Sequence, residues 1–188
     1  MKNIIPVFIF LLFGAAASAQ GVFNNQTNGA LEKVIQDYPN QFKNIKGDLL
    51  ISGQHSAEYK SNITIPGAVS TTVTQYSIAD KKIVSWQATV YTTNEFDDAR
   101  DKFKELYSQI KNTIIKLEGE KPVILNGQYE TPVEAKKYTT VLFDLLPSTG
   151  ATQKLKIDLM LEKINRQWKI VLSVYDKDRK EGEAIASN

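Results

Sequence analysis

Residues 83–119 read IVSWQATVYTTNEFDDARDKFKELYSQIKNTIIKLEG, and the hydrophobic period changes once within them. Ile83 to Thr92 alternates with a period of two, placing Val84, Trp86, Ala88 and Val90 on one side, as in a strand buried on one face. From Phe96 the apolar residues step by three or four: Phe96, Ala99, Phe103, Leu106, Ile110, Ile114 and Leu117. That stripe predicts an amphipathic helix against a core. Asn94 is positioned to cap it, Glu95, Asp97 and Asp98 suit its positive end, and Gly119 is positioned to stop it.

Toward the N-terminus, Leu31, Val34, Ile35 and Tyr38 have helical spacing, with Thr27 or Asn28 as cap. Pro39 ends that helix, and Phe42 and Ile45 continue its contact up to Gly47. Leu49 to Lys60 reads as one strand with Leu49, Ile51, Gly53, His55, Ala57 and Tyr59 on its apolar side. Pro66-Gly67 is a turn, Val69 to Ile78 a strand rich in Val, Thr and Tyr, and Asp80-Lys81-Lys82 a break.

Toward the C-terminus the order recurs. Val123 to Tyr129 is strand-like before Thr131-Pro132, and Ala135 to Leu146 is a longer run ending at the turn Pro147 to Gly150. Leu155, Ile157, Leu159 and Leu161 then alternate with polar residues. Asn165-Arg166 turns the chain into Trp168, Ile170, Leu172 and Val174. Ile51-Ser52-Gly53-Gln54-His55 parallels Leu125-Asn126-Gly127-Gln128-Tyr129, and Trp86 parallels Trp168, so the chain reads as an internal repeat.

Consecutive strands joined by short turns make antiparallel meanders, and helices gathered on one face of such a sheet make two layers. The expected fold is therefore α+β, from tandem α-β-β-β units forming a mainly antiparallel six-stranded sheet with two helices on one face. The domain is expected to span 28–176, in halves 28–93 and 94–176, with a flexible leader at 20–27 and a solvated tail at 177–188. This element order is similar to that of tandem cystatin-like or β-lactamase-inhibitor-like modules, a likeness of architecture that implies no active site.

Ahead of the domain, Lys2 precedes the apolar run Ile4 to Phe13 and the small-residue stretch Ala15-Ala16-Ala17-Ser18-Ala19. The run is too short to span a bilayer, and Ala17-x-Ala19 fits signal-peptidase cleavage before Gln20. Residues 1–19 are expected to be a cleaved signal peptide, with the mature chain exported to the periplasm or beyond. After cleavage no stretch is apolar enough for stable membrane insertion.

Composition narrows the chemistry. The 188 residues carry 23 basic and 21 acidic side chains, no cysteine and one histidine. A formal charge of +2 leaves no electrostatic footprint for nucleic acid. Without cysteine there is no disulfide, thiol nucleophile, cysteine zinc site or lipid attachment through sulfur. His55 shares its side of the strand with Ile51 and Tyr59 and reads as a packed histidine instead of a base. No Gly-x-Ser-x-Gly, glycine-rich phosphate loop or calcium loop is present, so no catalytic residue, metal or cofactor is expected.

The remaining signal lies on the side of the sheet away from the helices, which antiparallel sheets ordinarily leave polar. Tyr138, Leu142, Asp144 and Leu146 fall there by parity, as do Ile83, Tyr91, Met160, Val171 and Tyr175. The candidate binding face is thus Tyr91, Tyr138, Leu142, Asp144, Met160, Val171 and Tyr175, an aromatic-aliphatic patch around a carboxylate. Ser70, Thr72, Thr74 and Tyr76 share one strand face and suit sugar stacking, although strand propensity explains the same residues. Three functions fit: a non-catalytic module binding a protein, peptide or small apolar ligand; a homodimer of structural role; or a hydrolase with dispersed acidic residues.

Overall fold

The computed structural model describes residues 26–78, 81–148 and 150–177. Residues 1–19 with the cleavage residues Ala17, Ala19 and Gln20, and the tail beyond Lys177, lie outside the described residues. In chain order the elements are α1 (Gln26–Asp37), β1 (Lys46–Ser52), β2 (Ser56–Ser61), β3 (Ser70–Ile78) and β4 (Lys81–Thr93). They continue with α2 (Phe96–Ile110), β5 (Ile114–Ile115), β6 (Val123–Gly127), β7 (Tyr138–Leu146), β8 (Leu155–Ile164) and β9 (Gln167–Asp176). The strands form one antiparallel sheet in the order β1-β2-β3-β4-β9-β8-β7-β6-β5, so each half fans outward from the central β4–β9 pair.

One face of this sheet and both helices share a single core. A line of paired residues crosses it, from Leu49 through Tyr59, Val73, Trp86, Val174, Ile157 and Phe143 to Gly127. Leu31, Val34 and Ile35 of α1 and Ala99, Phe103, Leu106 and Ile110 of α2 bury their apolar stripes in the same cluster. Phe96 packs on Trp168 with ring centres 5.0 Å apart. The Tyr107 ring lies 6.0 Å from Phe143, and its hydroxyl donates to the carbonyl of Gly127 at 3.0 Å. Trp86 donates its indole N–H to Ser61 Oγ at 2.9 Å, so this large core ring leaves no orphaned donor. α1 ends before Tyr38-Pro39, and the buried Asp37 carboxylate accepts from the backbone N–H groups of Asn44 and Ile45 at 3.0 and 3.2 Å, folding the chain toward β1.

The class is α+β with two helices and a large antiparallel sheet, but among the described residues the sheet has nine strands instead of six. The run from Leu49 to Lys60 is two strands, because the chain reverses at Gly53-Gln54-His55 and Gly53 N–H bonds the Ser56 carbonyl at 2.7 Å. His55 is accordingly an exposed turn residue and not a packed one. β6 is a separate strand paired with β7, and β5 adds a further short one.

The second helix is shorter than its stripe. It stops at Ile110, Asn112 takes a left-handed conformation (φ 64°), and Ile114–Ile115 pair with β6. β-branched residues in succession favour that extended state. Gly119 lies in a later turn with φ 74°. At the other end the cap residue is Glu95 and not the expected Asn94; it makes no side-chain cap bond, and Thr93 Oγ1 accepts the Glu95 N–H at 3.2 Å in the turn before the helix. Gln26 and Thr27, expected in the leader, already belong to α1.

Candidate functional site: the open sheet face

Opposite the helices, pairing across the strands sets out the other face row by row. One row runs Lys60, Thr72, Gln87, Ser173, Asp158 and Leu142, and the next runs Ser70, Thr89, Val171, Met160 and Thr140. Beyond them Lys169 lies opposite Glu162, which lies opposite Tyr138 on the other side. Along each strand these residues alternate with core residues, as in the burial of β8, where Leu155, Ile157, Leu159 and Leu161 are buried and their neighbours half-exposed.

Of the seven residues expected on this face, six are there. Met160 and Val171 are direct cross-strand partners. Tyr138 and Leu142 are 65% and 43% exposed, which leaves an aromatic ring and an aliphatic side chain open to a ligand. Asp144 is exposed, with Lys156 Nζ 3.5 Å from its carboxylate. Tyr175 is buried, opposite Lys156 and Ser85. Ile83, Val171 and Tyr175 are all buried yet lie outside the main core cluster, so the open face has some packing of its own.

Tyr91 is the exception. A bulge between Thr89 and Tyr91 shifts the register, so Tyr91 pairs with Ile170 and packs against the core. One extra residue in a strand reverses the parity of everything after it.

A groove of about 250 Å³ crosses the open face over β2, β3, β4, β9 and β8. Ser70, Thr72, Gln87 and Thr89 supply hydroxyl and amide groups, Met160, Ile164 and Val171 supply apolar surface, and Glu58, Glu162 and Lys169 supply charge. Burial raises the Glu162 carboxyl above its ordinary pKa; the Lys169 ammonium opposes that shift and the Asp158 carboxylate reinforces it. Such a lining offers hydrogen bonds and apolar contact along an extended path, with a proton-binding group at one end. Beside it, and sharing Ser70 and Thr72, a hollow of about 290 Å³ runs to the sheet edge at Leu50, Ala68 and Val69.

Several of these residues were not singled out from sequence. Glu58, Gln87, Thr89, Glu162 and Lys169 have the right parity, but only the β4–β9 pairing makes neighbours of strands from opposite halves. Ile114 and Ile124 are also exposed here, in a row with Leu146 at the far edge, where the helical stripe had claimed Ile114 for the core. Among the described residues no three His, Asp or Glu side chains gather to hold a metal ion, and no helix is long and apolar enough to cross a membrane. No protein-family model, curated protein or solved structure matches this chain.

Proposed function

We propose that the chain is an exported binding module that holds a protein, peptide or small apolar ligand on the open face of its sheet, without catalysis. The observation that carries this reading is the groove over the central strands, with Met160 and Val171 side by side among Thr72, Gln87 and Thr89 and no helix or second sheet over them among the described residues. Export rests on the sequence of residues 1–20, where a short apolar run precedes Ala17-x-Ala19. The same reading treats the two halves as a repeated unit, with Trp86 and Trp168 on the paired central strands β4 and β9.

Native mass spectrometry of the protein purified from its own host's envelope tests it, with a Met160→Arg variant alongside. The expected result is an added ligand or partner mass on the wild type that the folded variant lacks. A bare mass for both, or an added mass that Met160→Arg leaves in place, contradicts it. The hydrolase reading draws on Glu58 and the protonatable Glu162 sharing one groove. It predicts turnover of a substrate that Glu162→Gln abolishes while groove binding persists.

A further inference from the structure

The groove over the central strands has two unlike walls. Ser70 and Thr72 of β3 stand opposite Thr89 and Gln87 of β4, a block of four neutral polar side chains. Thr89 is in turn opposite Val171 of β9, and Val171 opposite Met160 of β8, where the lining becomes apolar and Ile164 extends it. Charge sits at the ends, with Glu58 beyond the polar block and the cross-strand pair Lys169 and Glu162 on the apolar side. Among the described residues none of the polar side chains in this lining makes a hydrogen bond or ion pair, although Glu58, Thr72, Gln87, Thr89, Glu162 and Lys169 are all half-buried. Polar groups drawn this far out of water ordinarily find partners within the fold.

The occupants that suit the open face differ in what they bring to such a lining. A small apolar ligand covers the polar block without giving it a partner, at the desolvation cost of each group left unpaired. The surface of a folded protein is too broad: the lining crosses five strands, about 19 Å at the spacing of a sheet, yet encloses only about 250 Å³. A path that long and thin admits one extended chain. Each residue of a peptide brings an N–H donor and a C=O acceptor. The carboxylates of Glu58 and Glu162 accept, the Lys169 ammonium donates, and the hydroxyl and amide groups do either. Side chains of an extended peptide project alternately to its two sides, so an aliphatic one can settle on Met160 and Val171. Charge favours neither a basic nor an acidic peptide, because Glu58 and Glu162 are balanced by Lys169 and by Lys60, the cross-strand neighbour of Thr72.

Granted the open face as a binding site, we propose that the groove takes a single extended, uncharged peptide segment, about five residues at the rise of a strand. Its backbone bonds along Thr72, Gln87 and Thr89, and an aliphatic side chain seats on Met160 and Val171. To test this, a library of acetylated and amidated pentapeptides is screened against the purified protein, and hits and 1-hexanol are titrated by amide chemical shift. Neutral peptides with a central Val, Leu or Ile should shift Thr72, Gln87 and Thr89. Thr72→Val combined with Thr89→Val keeps both side chains β-branched and removes two hydroxyls. This variant should bind the peptide at least about fivefold more weakly, with circular dichroism and hexanol affinity unchanged. If hexanol shifts these amides and no peptide does, the peptide assignment is overturned and the binding site stands. A response to neither probe removes the site as well. Peptide affinity that survives the double substitution, or that rises when charge is added to the peptide, also overturns the proposal.

Discussion

A Cβ atom on Gly127 would stand 2.7 Å from Cδ1 of Phe143 and 3.0 Å from the Leu142 carbonyl oxygen, and the Gly127 carbonyl itself receives the Tyr107 hydroxyl. Neither neighbour has room to retreat, since Phe143 is fully buried in the core and the Leu142 carbonyl belongs to the backbone of the paired strand β7. Gly127→Ala should therefore cost about 1–3 kcal/mol in urea unfolding, and an unchanged midpoint would contradict this packing. Glu162 makes a different kind of prediction. Its carboxyl binds a proton more readily in the folded chain than in the unfolded one, chiefly through burial, so folding stability contributed by this group falls as pH rises through its raised pKa. Replacing it with glutamine removes that penalty. Glu162→Gln should melt higher than the wild type at neutral pH, with the difference shrinking as the pH is lowered through the carboxylate range. A gap of the opposite sign would place Glu162 in a favourable ion pair with Lys169, and a gap constant with pH would mean that folding leaves its proton affinity unchanged.

Single elements show what a periodicity can and cannot reveal. The stripe of α2 was legible because Ala99, Phe103, Leu106 and Ile110 meet the core at every turn. Phe103→Ala should cost about 3–5 kcal/mol by thermal or denaturant unfolding, as for other fully buried rings; a loss below 1 would contradict the core assignment. The end of that helix was not legible, because Ile114 and Leu117 keep the helical spacing after Asn112 has already turned left-handed. Likewise Gly53 and His55 continue the alternation of Leu49 and Ile51 through what is a hairpin turn. Side-chain pattern carries no record of backbone reversal when the turn length preserves parity. Tyr91 was misplaced for the converse reason: Val90 and Tyr91 look like ordinary alternation, and the bulge that brings both to the core depends on how β9 pairs.

Across the whole molecule, the division into a helix-covered face and an open face was visible in the strands themselves, and six of the seven expected residues share the open face. The groove was not visible, because Glu58 and Glu162 lie in opposite halves and meet only through the central pairing of β4 with β9. The far edge, where Ile114, Ile124 and Leu146 stand exposed in one row, was hidden because the helical spacing of Ile114 assigned it to α2 and its core. Recognition on the open face depends on that division of faces, and adjacent residues of β7 test it most directly. Val141 is buried on the helix side and Leu142 is exposed on the other. Urea unfolding of Val141→Ser and Leu142→Ser, side by side, should give a loss of about 2–4 kcal/mol for the first and no more than about 0.5 for the second. Equal losses would mean that the supposed recognition face is simply a second core.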